Sequence, residues 1–213
     1  METRTYIHED ITVKYFMSDP HFDHVNICCG VSKWNDKSSC RDFDTVAEMN
    51  NAILSSINSF VKTHDELWIL GDFAFGDKNK IPYWRSLIRC NNVNLIYGNH
   101  DKHIRQSYEL RSLFHSCKDY DEIHIKDSDG NKHGLILFHY YIGGVWNKAG
   151  RGYYHLFGHS HNSLPRECIR GKCFDIVWDA WHKPLSEYEV CQEMVSRDEF
   201  EQIDHHGEKT VYF

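Results

Sequence analysis

Apolar residues recur along the chain in short runs, and most runs stop abruptly at a polar residue. Runs of four or five such residues are strand length rather than helix length, and predict buried strands over residues 13–17, 67–70, 93–97, 154–157 and 174–178. Two more runs, 122–126 and 134–139, flank Asp129-Gly130, a dipeptide favoured in hairpin turns, and predict an antiparallel pair. Between the strands the period changes. Val46, Met49, Ile53, Ile57 and Phe60 fall on one helical face, and Thr45 with Glu48 forms a capping box at its start. Shorter helices are predicted over 83–88 and 104–115. Ser186 and Glu189 form a second capping box, opening a helix to about residue 196. Alternating strands and helices predict an α/β fold in a single domain over residues 1–213, with a charged tail from about 197 to which no element is assigned. The stretch from 28 to 44 is a long loop.

Composition narrows the function. The net charge of -7 disfavours tracking along long nucleic acid, which basic chains do best. A small phosphorylated substrate, a nucleotide foremost, stays compatible, because bound cations reverse the local charge of a site. No run reaches the roughly 18 apolar residues of a membrane helix, and METRTYIHEDITVKYF lacks the apolar centre of a signal peptide. A cytoplasmic protein, in the host cytoplasm if the chain is viral, is the expectation. The eight cysteines include no C-x-x-C pair, so they read as reduced, packed thiols rather than a zinc site. Sixteen scattered histidines point instead to imidazole chemistry.

Five of the apolar runs end at residues able to bind metal: YFMSDPH, LWILGDF, NLIYGNHD, LILFHY and HLFGHSH. In open α/β sheets the carboxyl ends of strands gather along one edge, where ligands bind. Asp19, His21, Asp72, Asn99, His100, His139, His159 and His161 would converge there. These donors are nitrogen and oxygen only, which suits Mn, Fe, Ni or Zn. They exceed the needs of one ion but match two ions about 3.5–4 Å apart sharing a carboxylate. Gly71, Gly98 and Gly158 each precede a candidate ligand and let the backbone turn sharply. Asp127-Ser128-Asp129-Gly130 lacks the closing Glu of a calcium loop and reads as a turn.

Asp19-Pro20-His21, Gly71-Asp72, Gly98-Asn99-His100-Asp101, His139 and Gly158-His159-Ser160-His161 stand in the order D-x-H, G-D, G-N-H-D, H, G-H-x-H. The set resembles the signature of the calcineurin-like metallophosphoesterase superfamily. FMSDPHFDHVNI and FDIVWDAW are similar to segments of its small phosphoesterases from bacteriophages and bacteria. The resemblance implies a two-sheet β-sandwich flanked by helices and two divalent transition-metal ions, manganese foremost. It also implies a phosphoesterase acting on phosphodiester or phosphomonoester bonds through metal-activated hydroxide. By it, Asp19, His21 and His161 hold one ion, Asn99, His139 and His159 the second, and Asp72 bridges. His100 protonates the leaving oxygen, and Asp101 orients the His100 ring. The chain departs from the pattern at Val177, where those enzymes carry glycine; the change touches no ligand.

Other assignments rest on position alone. His24 and Asn26 either line the pocket or cap the turn after the first motif. Lys148 and Arg151 either meet a substrate phosphate or lie in a solvated loop. Trp146, Tyr153 and Tyr154 either stack a base or pack. The 28–44 loop is the one local lid in view. Two other readings stand beside the hydrolase: a non-catalytic metal-binding module on the same fold, and a phosphoprotein phosphatase.

Overall fold

The computed structural model describes residues 12–143 and 145–197. The first eleven residues and the charged tail beyond Arg197, treated above from sequence alone, lie outside the described residues. Strand β1 (Lys14–Met17) pairs in parallel with β2 (Glu66–Leu70), which pairs in parallel with β3 (Asn92–Ile96). The short β4 (Ser116–Lys118) extends this sheet at one edge, and β9 (Leu185–Ser186) closes the other, antiparallel to β1. A second sheet runs β5 (Tyr120–Lys126), β6 (Lys132–Phe138), β7 (Tyr154–Phe157), β8 (Cys173–Asp175). Its first pair is the predicted hairpin and the rest is parallel. At the hairpin turn the Asp127 carboxylate accepts the backbone N–H groups of Asp129 and Asn131, as a turn-capping side chain does.

Side-chain alternation in the strands builds two layers of core. Phe16, Trp68, Leu70 and Ile96 point from the first sheet towards Ile125, Leu135, Leu137, Leu156 and Phe174 of the second. Met17, Leu67, Ile69, Val93 and Leu95 point the other way, onto Met49, Ile53 and Ile57 of α1 (Val46–Phe60). Fully burying each of these side chains contributes about 1.5–3 kcal/mol. The two sheets therefore face each other, with helices outside: α1 and α2 (Ile81–Leu87) on the first sheet. Val190 and Met194 of α6 (Glu187–Val195) join the inter-sheet core. Both predicted capping boxes are formed, Thr45 with Glu48 and Ser186 with Glu189.

Two elements differ from the sequence reading. The helix over 104–115 is two short helices, α3 (Lys102–Gln106) and α4 (Tyr108–Arg111). Ser107 between them is extended, and its hydroxyl accepts the Leu110 N–H, restarting the helix instead of continuing it. The strand over 174–178 ends at Asp175. Trp178 then opens a single helical turn, α5 (Trp178–Trp181), because Trp178 N–H leaves the ladder to donate to Ser18 O.

His155 of β7 is fully buried between Trp146 and Phe157. Its Nδ1 lies 3.4 Å from Ile136 O, and Nε2 has no partner. Burial holds its pKa down at about 4, against an ordinary 6.5. The neutral ring thus favours the fold fully above pH 6.5, and the benefit fades as pH falls towards 4. At about 1.4 kcal/mol per pKa unit the loss is about 3 kcal/mol. The stability difference between wild type and His155→Phe is expected to shrink by that amount between pH 7 and pH 4. Urea midpoints across that range measure it, and a pH-independent difference would clear His155 of the role.

Candidate metal centre

Parallel strands place their carboxyl ends on one edge in each sheet, and the two edges meet. Asp19 follows β1, Asp72 follows β2, Asn99 follows β3, His139 follows β6 and His159 follows β7. The loops are stitched by backbone bonds, Asp19 N–H to Gly71 O (3.1 Å), His21 N–H to Asp72 O (3.0 Å) and Gly158 N–H to His139 O (2.9 Å). Gly71 has φ +93°, and a Cβ on it would overlap His139 Nδ1; a Cβ on Gly98 would overlap the Asp72 carboxylate. These glycines let the side chains behind them close in.

Two groups of donors result. Asp19, His21 and His161 form one, and Asp72, His139 and His159 the other, each with ligand atoms within 4.8 Å of one another. Asp72 stands between them. Its Oδ2 lies 3.7 Å from His21 Nε2 and 3.7 Å from His139 Nε2, while Oδ1 accepts the His100 N–H at 2.8 Å. Asn99 Oδ1 is 3.3 Å from His139 Nε2, so Asn99 adjoins the second group.

The residues fit cations. Asp19 is fully buried. Its Oδ2 is satisfied by Ser18 Oγ and by the His159 N–H, but Oδ1 has no hydrogen-bond partner. Both ring nitrogens of buried His21 are likewise unpartnered, with Nε2 3.4 Å from Asp19 Oδ1. Orphaned polar atoms buried like these are costly unless a cation meets them. His139 Nδ1 contacts Leu70 O at 2.6 Å and so carries the proton, leaving Nε2 with its lone pair towards Asp72. Five of the seven candidate ligands, Asp19, His21, Asp72, His159 and His161, have left-handed backbone with φ between 46° and 67°. Each such non-glycine residue costs about 1–3 kcal/mol, and strain of this kind gathers at functional sites. Two residue clusters here are able to bind metal ions.

The electrostatics follow the packing. Burial pushes the Asp19 carboxyl up, but His21, His139 and His161 around it outweigh burial and hold it below the ordinary carboxylate range. Burial keeps the His21 ring neutral against the pull of Asp19 and Asp72, and keeps His159 neutral as well. For His161 the balance reverses: burial lowers its pKa, but Asp179, hydrogen-bonded to the ring, and Asp19 together raise it by more.

One expectation needs correction, and two alternatives left open by position are resolved. Asp101 does not hold the His100 ring. Its buried carboxylate accepts the backbone N–H groups of Asp72 (2.8 Å), Phe73 (3.0 Å) and Gly98 (2.8 Å), and so clamps the loops after β2 and β3 together. Burial pushes its pKa up to about 6 despite those bonds. Lys148 and Arg151 do not reach the cleft. Trp146 and Ala149 are buried on the outer face of the second sheet and carry that segment away, where Lys148 lies over the Tyr153 ring. Trp146 and Tyr154 are buried and Tyr153 is packed against that outer face, so none of the three offers a stacking surface at the site.

His24 and Asn26 do border the site. They line a cleft of about 560 Å³ together with His21, Asp72, Asn99 and His100. His24 also caps the turn Val25–Ile27, its Nδ1 accepting the Ile27 N–H, and its ring stacks on Phe75 at 3.9 Å. Asn26 Oδ1 accepts the Lys33 N–H.

Sequence reasoning missed Arg41 and the role of Asp179. Arg41, in the 28–44 loop, is buried beneath the site. Nη2 donates to Asp19 O (2.6 Å), Nη1 to Pro20 O (2.9 Å), and Nε and Nη2 to the Asp179 carboxylate (2.9 Å each). Asp179 Oδ2 in turn lies 2.9 Å from His161 Nδ1. The base of the loop is thus anchored. Val177, the departure from the small-phosphoesterase pattern, has φ -62°, which any residue adopts, so glycine is not needed there. No sequence signal marks Arg41 as Asp179's partner, since the pair is separated by 138 positions.

No family model matches the chain, and no curated protein matches it. Among solved structures, the chain is similar to the protein of unknown function AQ665 from Aquifex aeolicus, at 25% identity and TM-score 0.57, over 85% of this chain and 99% of that one. It also matches the nuclease MPE from Pseudomonas putida, at 20% identity and TM-score 0.38, over 70% of this chain and 61% of that one. The likeness to the first of these is one of fold.

Proposed function

We propose that the chain is a calcineurin-like phosphoesterase that hydrolyses phosphodiester or phosphomonoester bonds with two divalent metal ions. The observation that carries the reading is Asp72, whose Oδ2 stands equally far from a histidine of each donor group, with His100 beside it in an open cleft. Asp19, His21 and His161 would hold one ion and Asn99, His139 and His159 the other, with Asp72 common to both. Bound there, such a pair supplies Lewis acidity at phosphoryl oxygens and lowers the pKa of water.

The chain's own groups do the rest. Leu70 O and Asp179 fix the ring orientations of His139 and His161. His100 is exposed to the cleft, its ring 5.6 Å from His21 and 4.9 Å from Phe75. From there it is placed to hand a proton to the leaving oxygen. Among the described residues, no Lys or Arg lines the cleft. With neither to compensate the second charge of a monoester, diesters are expected to be cleaved at least as well as monoesters.

The test is reconstitution with Mn, Ni, Mg or Zn, elemental analysis, and turnover of an aryl diester and its monoester. Two ions per chain and loss of activity on chelation are expected. A stoichiometry fixed at one with full activity would reject the two-ion reading, and strict monoesterase activity would reject the diester preference.

A further inference from the structure

Five of the six tryptophans are buried or half-buried; Trp34, in the 28–44 loop, is 42% exposed. It is also the one tryptophan that lines the cleft over the candidate metal centre. Leaving an indole in water forgoes the burial that its size would otherwise secure, and aromatic faces left free inside a cleft serve as stacking surfaces. The neighbouring His24 meets the Trp34 ring edge-on at 6.0 Å, and His24 is itself clamped against Phe75. The loop is pinned at its base by Arg41 and by the bonds Cys29 N–H to Arg41 O and Gly30 N–H to Phe43 O (2.9 Å each). His24 separates Trp34 from His100, with 6.5 Å between the His24 and His100 rings, so the indole stands one ring beyond the proposed proton donor. The cleft's other lining adds polar neutral groups such as Asn26, Ser39 and Ser163 but, among the described residues, no Lys or Arg.

We propose that Trp34 is a specificity-determining residue that stacks a nucleobase of a phosphodiester substrate whose phosphate lies at the Asp72 cluster. The proposal rests on the phosphoesterase reading and adds the substrate class: a nucleoside phosphodiester rather than a phosphoprotein or a simple alkyl phosphate. Stacking on an aromatic side chain is sequence-tolerant, because every base has a π-face. The site therefore selects for the presence of a base and little for its identity. Its contribution corresponds to about 5- to 150-fold in apparent affinity.

The test compares dithymidine monophosphate with its two singly abasic counterparts on the metal-loaded wild type, Trp34→Ala and Trp34→Phe. Trp34→Ala is expected to raise KM for the dinucleotide about 5- to 150-fold with kcat nearly unchanged, and Trp34→Phe to restore most of the loss. One abasic counterpart lacks the stacked base, and on it wild type and Trp34→Ala should behave alike. A second readout needs no turnover: thymidine monophosphate should quench tryptophan fluorescence in the wild type and much less in Trp34→Ala. Equal losses on all three substrates, or no change on any, would overturn the stacking role while leaving the phosphoesterase reading standing. Absence of hydrolysis by the wild type with every metal would overturn that reading instead, and the quenching titration would then decide Trp34 alone.

Discussion

His100→Asn is expected to lower kcat by about 10²–10⁴-fold, the usual worth of general acid catalysis, with the metal content unchanged. The neighbouring substitution should fail differently. Asn99 Oδ1 lies 3.3 Å from His139 Nε2, at the second donor group, so Asn99→Ala should weaken the second metal. His100 touches the centre through its backbone, the N–H donating to Asp72 Oδ1, and this bond survives replacement of the side chain. The loss in His100→Asn should be largest on alkyl esters, because an activated aryl leaving group needs less protonation. Metal analysis and kcat on aryl and alkyl esters for both variants separate the two roles. If His100→Asn loses metal as Asn99→Ala does, or keeps full rate on the alkyl ester, the proton-donor assignment is wrong.

Arg41→Met is expected to destabilise the protein by about 3–5 kcal/mol, the cost of leaving a buried charge without its partner. The side chains of Arg41 and Asp179 are 3% and 15% exposed, so solvent screens the pair little. The substitution also frees Asp19 O and Pro20 O, which cap the first donor group from below. Asp179 would then hold the His161 ring without its own anchor, and partners that orient metal ligands in this way are worth about 10–100-fold in affinity. Arg41→Met should therefore weaken one ion and spare the other, and Asp179→Asn should do the same. Urea unfolding of the metal-free protein and equilibrium dialysis against Mn measure the two effects. Wild-type stability together with wild-type affinity for both ions would remove Arg41 and Asp179 from any positioning role.

Much of this architecture is legible in the chain because it is local. A run such as Leu67–Leu70 declares a strand by its length and apolarity, and the polar residue that ends it marks the strand's carboxyl end. Parallel pairing then forces those ends to one edge, which brings Asp19, Asp72 and Asn99 together. Capping boxes at Thr45 and Ser186 are read from residues three apart. The break at Ser107 was hidden because serine is tolerated in a helix interior, and its extended setting follows from β4 turning back beside β3. Other features depend on pairings across the whole chain. The family resemblance implies that Asp101 orients the His100 ring; burial under three backbone N–H groups gives it a clamping role instead. Lys148 and Arg151 were drawn towards the site by their position between two ligands, and the burial of Trp146 turned that loop outward. Arg41 and Trp34 sit in a loop with no periodicity to read. The identities of the candidate ligands were thus determined by the sequence, since each stands in a polar cluster that follows a strand. Their supports, and the aromatic wall beside them, were decided by the tertiary structure, because a buried ion pair or an exposed ring exists only once distant segments have packed.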